Sequence, residues 1–172
     1  MAYVDTNVLV AAYAPRDPLH RASRAFLDAN TTPRIISPLT FEELSSVIAR
    51  TEEGLELPAV FAKEPLHRRV RAIVEYVIRD SRLTLASGLG SSRFRVEGRS
   101  VSGPLEYWEA SRLAPQLRLK ALDLLHLAYA RLIGKLELNV KSFVTGDQGI
   151  LSRATEVQKA LQIDVKHPKE AL

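Results

Sequence analysis

The sequence predicts an α/β protein built on a short, mostly parallel sheet covered on both faces. Two observations carry this. Short continuous apolar runs alternate with longer amphipathic stretches, the pattern of buried parallel strands joined by helical crossovers. The same grammar of apolar strand, acid and helix also occurs near both ends, at "YVDTNVLV" and at "FVTGDQGIL". Composition supports a globular chain: of 172 residues, 46% are hydrophobic and 26% charged, enough to bury a real core without staples.

In chain order, Ala2 to Val4 read as a buried strand, followed by a helix from Val8 to Tyr13 that ends before Pro15. In "RDPLHRASRAFLDANTTP", Leu19, Ala22, Ala25, Phe26 and Leu27 fall near helical spacing. Asp17 is the expected N-cap there, with Pro18 at the first helical position. "RIIS" at 34–37 is a second strand, and "PLTFEELSSVIAR" a third helix with proline near its start. "EPLHRRVRAIVEYVIRD", "PLEYWEASRLAP" and "ALDLLHLAYARLIG" are further helices, the last expected to end at Gly134 as a C-cap. "SFV" then opens a strand running into Thr145-Gly146-Asp147. The stretch 87–103, rich in Gly and Ser, breaks this pattern. It is read as a surface insertion holding a possible hairpin with Arg93, Arg95 and Arg99, within a single domain spanning 1–172.

Bulk chemistry excludes several classes. Without cysteine there is no disulfide, thiolate metal site or cysteine nucleophile. No run approaches the roughly 18 apolar residues of a membrane span, and the N-terminus lacks the charged start and apolar segment of a secretion signal. A cytoplasmic protein without a membrane partner is expected. The excess of 24 Lys+Arg over 20 Asp+Glu gives a formal charge of +4, which permits a polyanionic partner.

The acids are more informative. A carboxylate at a strand end between two core-forming runs needs a partner, because burying it alone is costly. Asp5 and Asp147 both stand just past the carboxyl ends of strands, where open α/β sheets bind ligands. Each either caps its following helix or faces a cation. Asp123 sits on a helix apolar nearly all round, so it too needs a donor, a helix N-terminus or a cation. His126 lies one turn on; "DLLH" admits an Asp–His metal pair, but a histidine hydrogen-bonded within the core is the reading preferred here. At about 100° per residue, Phe41, Leu44, Val47 and Ile48 define one helix face. Glu42 then falls opposite and solvated, and Glu43 at the edge, where a cleft-lining residue belongs.

"VDTNVLV" at 4–10, "SPLTFEEL" at 37–44, "ALDLLHLAYA" at 121–130 and "FVTGDQGIL" at 143–151 together resemble the PIN-domain nucleases, and among them the VapC-type ribonuclease toxins. The motifs fall in the family's order and span nearly the whole chain. The resemblance implies a PIN-like three-layer α/β/α fold with a central sheet of about 4–5 strands. It implies that Asp5, Glu43, Asp123 and Asp147 form an acidic catalytic and metal-binding site, supported by hydrogen bonds from Asn7 and Thr145. It also implies RNA as substrate, a small antitoxin as partner, and homodimers formed through the early helices. The chain is longer than simple members between the second and third motifs.

Four carboxylates in one cleft repel each other unless a cation relieves them, and an all-oxygen set selects Mg²⁺ or Mn²⁺ over zinc. The expected activity is metal-assisted hydrolysis of RNA phosphodiester bonds. Asp5, Asp123 and Asp147 would hold metal, while Glu43 would either bind it or orient the attacking water. Arg16, Lys120 and the three arginines of 87–103 are candidate phosphate contacts, and Trp108 and Tyr107 candidate stacking residues; solvated charge and helix packing are the plainer readings. Two other classes fit the residues less well. A phosphotransferase with a nucleophilic Asp needs a second Asp two residues on, where this chain has Asn7. A PIN-like RNA-binding or assembly module would not need the acids at all.

Overall fold

The computed structural model describes residues 1–29 and 31–172, with all their side chains except those of Glu137 and Leu138. Five strands form a sheet in the order β3-β2-β1-β6-β7: β1 (Ala2–Val4), β2 (Arg34–Ile36), β3 (Leu83–Leu85), β6 (Ser142–Val144) and β7 (Asp164–Lys166). Every pairing in it is parallel. Parallel neighbours need crossovers, supplied by α1 (Thr6–Tyr13) and α2 (His20–Asp28), by α3 (Pro38–Thr51) and α4 (Leu66–Asp80), and by α7 (Gln148–Leu151) and α8 (Ala154–Leu161). The longest connection carries the antiparallel hairpin β4 (Ser91–Val96) and β5 (Arg99–Pro104), then α5 (Leu105–Leu117) and α6 (Ala121–Ile133).

Alternation along the strands divides the core in two. Ala2, Val4, Ile36 and Val144 face one layer, packing with Val8, Leu9, Leu44, Ile48 and Val74 of α1, α3 and α4. Tyr3, Ile35 and Phe143 face the other, where α5, α6 and α8 contribute Leu113, Leu127 and Val157. The result is the three-layer α/β/α arrangement. Among the described residues, no helix is long and apolar enough to cross a membrane.

One helix boundary differs from expectation, and a second keeps its place with an unexpected geometry. Asp17 does not cap α2; its carboxylate accepts the Leu19 N–H at 2.7 Å in a local turn, and the helix starts at His20. Gly134 is the C-cap of α6, as expected, but without the left-handed angles a glycine usually takes there. It keeps right-handed angles, φ −61°, and the chain runs through a wider turn (Gly134–Leu138) before leaving at Asn139, φ 42°. Asn139 takes the left-handed position because its short polar side chain tolerates it.

Candidate active site

Moving outward from β1, the chain adds β2 and β3 on one side, then returns to place β6 on the other. The carboxyl ends of β1 and β6 therefore flank the point where the strand order reverses, the usual ligand crevice of such sheets. A cleft of about 770 Å³ opens there, and Asp5, Glu43, Asp123 and Asp147 all line it. They arrive from four elements: the ends of β1 and β6, the second turn of α3 and the first turn of α6.

Asp5 is 5% exposed and occupies the N-cap position of α1 without a side-chain capping bond. Its Oδ2 instead accepts from Asn7 Nδ2 and from Thr145 Oγ1, each at 2.6 Å. Thr145 also receives the Asp147 N–H at 2.9 Å, and Asn7 Oδ1 receives the Gly146 N–H at 2.9 Å. Asn7 and Thr145 thus tie the two strand–acid–helix units together through Asp5. Asp147 does cap its helix, accepting the Ile150 N–H at 3.1 Å. A Cβ at Gly146 would come within 2.1 Å of the Leu19 tip, which covers this edge of the cleft and would have to move aside to admit it.

Glu43 accepts from Thr6 Oγ1 at 2.6 Å on Oε2, and His126 Nε2 lies 2.6 Å from the same oxygen. His126 is buried and hydrogen-bonded, as the residues suggested, but it bridges the core and the cleft: one ring nitrogen meets a core hydroxyl and the other the cleft carboxylates. Its Nδ1 lies 3.0 Å from the Tyr3 hydroxyl, which also contacts Ser37 and Thr40. Asp123, one turn earlier on α6, is half-buried beside Lys120.

The electrostatics follow from this crowding. Burial pushes the Asp5 carboxyl up, against the pull of His126 and the Thr145 bond. Burial, then the charges of Asp147 and Asp5, push Asp123 up. Burial also acts to raise Glu43, but hydrogen bonds from His126 and Thr6 outweigh it and hold this acid below the usual range. Burial works against a charged His126, and the bond to Glu43 and the charges of Asp5, Glu43 and Asp123 more than reverse it, so its pKa is raised. Two strained carboxyls and a histidine drawn into them describe a pocket that favours added positive charge.

The cations named from sequence separate. Lys120 lines the cleft, as does Arg50 at the end of α3, which sequence reading passed over. Arg16 and the hairpin arginines do not line it. Trp108 stacks on Phe94, ring centroids 4.5 Å apart, so it packs the hairpin onto α5; Tyr107 is exposed. Thr6, Tyr3 and His126 were not identified as parts of the site. Thr6 adjoins Asp5, and His126 follows Asp123 by one turn, but nothing in the sequence pointed either at Glu43.

Comparison with known proteins places this geometry. No protein of curated function matches the sequence. The fold is similar to the crystal structure of VapBC2 from Rickettsia felis bound to a DNA fragment from their promoter, with a TM-score of 0.52 and 14% identity over 97% of this chain and 98% of that chain. At that identity the likeness is one of fold. The PIN domain model matches residues 2–157, from β1 into α8 and including all four cleft acids, and the chain therefore belongs to the PIN domain family.

Proposed function

We propose that the chain, acting as one domain, is a metal-dependent endoribonuclease and the toxin of a toxin–antitoxin pair. The observation that carries this reading is the convergence of Asp5, Glu43, Asp123 and Asp147 on one cleft at the switch point of the sheet. Membership of the PIN domain family supports a nuclease. The resemblance to VapC-type toxins, with the fold likeness to VapBC2, supports RNA as substrate and a small antitoxin as partner, with homodimers through the early helices.

The residues fit a divalent ion. The four acids offer hard oxygen donors, and Asp5 and Asp123 are destabilised as they stand. They would hold Mg²⁺ or Mn²⁺, which when bound supplies Lewis-acid stabilisation of phosphate charge and acidifies water near neutral pH. This chain's own groups do the rest. Asn7 and Thr145 fix the Asp5 rotamer, and Thr6 fixes Glu43, so the donors are preorganised before substrate arrives. Asp123 and Asp147 extend the negative field across the cleft. Lys120 and Arg50, on its walls, are placed to take phosphate oxygens and align the strand.

Purified protein incubated with single-stranded and structured RNAs is expected to cut in Mg²⁺ or Mn²⁺ and not in EDTA. Asp5→Asn and Asp123→Asn should each lower the rate by at least about 10²-fold, the scale of losing one preorganised group in a site of this kind. Cleavage that survives chelation, or that both variants leave intact, removes the mechanism.

A further inference from the structure

We propose that His126 is itself a metal ligand, making the deep end of the cleft a mixed oxygen–nitrogen site that takes Mn²⁺ and other transition dications in preference to Mg²⁺. This rests on the metal-dependent reading of the cleft and assigns one of its sites.

The geometry converges. One ligand atom each from Asp5, Glu43 and His126 lie within 4.8 Å of one another. Around an octahedral ion with bonds near 2.1 Å, adjacent ligand atoms stand about 3.0 Å apart and opposite ones about 4.2 Å. The Nε2–Asp5 Oδ1 separation, 3.8 Å, lies between the two and reaches the nearer one with a shift of about 0.4 Å. The Nε2–Glu43 Oε2 distance, 2.6 Å, has to open by about 0.4 Å, the change expected when a direct hydrogen bond gives way to a shared ion.

Hydrogen bonding elsewhere leaves Asp5 Oδ1 free, while Glu43 Oε2 also accepts from Thr6 and is held in place by it. Both donors to Asp5 engage Oδ2, so Oδ1 faces His126. On the far side of the ring, Nδ1 meets the Tyr3 hydroxyl at 3.0 Å, and Tyr3 is wholly buried and anchored at Ser37, 2.6 Å away. Tyr3 can accept from Nδ1–H while donating to Ser37, so an incoming ion has to displace only the Nε2 proton now given to Glu43, which leaves to solvent and frees the lone pair beside the two carboxylates. A partner that orients the ring through its other nitrogen is the usual support of a ligating histidine. Tyr3 is wholly buried and does not line the cleft, so its contact with Nδ1 orients the ring and does not compete for the ion.

Donor chemistry then sets the preference. Mg²⁺ favours oxygen and holds its water, whereas imidazole suits transition ions. Asp123 and Asp147 line the same cleft outside this three-residue group and offer oxygen donors only.

The test is pulsed electron paramagnetic resonance on the full-length protein loaded with Mn²⁺, alongside calorimetric titration with Mn²⁺ and Mg²⁺. Wild type is expected to show ¹⁴N modulation from a bound imidazole, replaced by a ¹⁵N pattern after ¹⁵N-histidine labelling. His126→Gln should abolish the modulation and weaken Mn²⁺ by at least about 10-fold while changing Mg²⁺ little. Tyr3→Phe keeps the ligand, so modulation should persist with a smaller loss of affinity. Mn²⁺ bound to wild type without nitrogen modulation overturns the proposal whether or not the variants fold, and leaves the nuclease reading standing if RNA is still cut. If wild type binds neither ion, both fall.

Discussion

Arg34 stands in a strand but is 3% exposed, with no carboxylate partner among the described residues. Its two terminal nitrogens donate to the Ser81 and Phe26 carbonyls, at 3.0 and 2.9 Å, near the C-terminal ends of α4 and α2. A cation suits helix C-termini, where unpaired carbonyls gather. Burial pulls its pKa down, and the guanidinium stays charged because its ordinary value is so high. Arg34→Ala strands two buried carbonyls at about 1–3 kcal/mol each, so urea denaturation should show a loss of roughly 2–6 kcal/mol. A loss under about 1 kcal/mol would mean that water replaces the guanidinium. Sequence reading placed Arg34 in a strand correctly but could not see this role, since both acceptors are main-chain atoms of distant helices. The same limit applied at His126. Its neighbours on α6 are apolar, which made it look like an ordinary core residue; Glu43 reaches it from another helix.

Among elements, the central ones were legible and the edges were not. β1, β2 and β6 announce themselves as apolar runs because each is covered on both faces. β3 and β7 are three residues long and half-solvated, so no periodicity marked them. The possible hairpin in 87–103 forms as β4 and β5 around Glu97-Gly98, both with positive φ, 49° and 78°, as a two-residue turn between twisted strands requires. Glycine meets that demand at the second position without strain. What holds the hairpin to the body is the Phe94–Trp108 stack, and Gly103 lets Phe94 lie close against β5. Trp108→Ala removes about 0.5–1.5 kcal/mol of stacking alone. Trypsin should then cut at Arg93, Arg95 or Arg99 up to about tenfold faster, because cleavage tracks the open population, with the thermal midpoint of the main core nearly unchanged. Unchanged proteolysis would show that the hairpin is held by other contacts.

For the molecule as a whole, the cleft trades stability for charge. Asp5 and Asp123 are both pushed above the ordinary carboxylate value near 3.8. An acid raised in the folded state withdraws stability as pH rises through its folded pKa, and gives it back below the unfolded value. In EDTA, Asp123→Asn should therefore melt higher than wild type at neutral pH, by about 2–4 °C per kcal/mol relieved. The gap should close as pH falls toward 4, and the variant should lose the Mn²⁺-induced rise in midpoint. A variant that melts lower than wild type at pH 7 in EDTA would show that Asp123 stabilises the fold and is not strained by its neighbours. The combination of a stabilised protein with lost ion binding is what a functional, destabilised site predicts.

From the chain alone came the α/β class and the repeated strand–acid–helix grammar, because these depend on local periodicity and on the expense of burying charge; Glu42, read as solvated, also lines the cleft beside Glu43. The meeting of Asp5, Glu43 and His126 was decided only by the packed structure. Three parallel crossovers and the reversal between β1 and β6 bring residues 5, 43 and 126 within one ion's reach. No local pattern encodes that distance; it is set by how two helix layers close over one sheet.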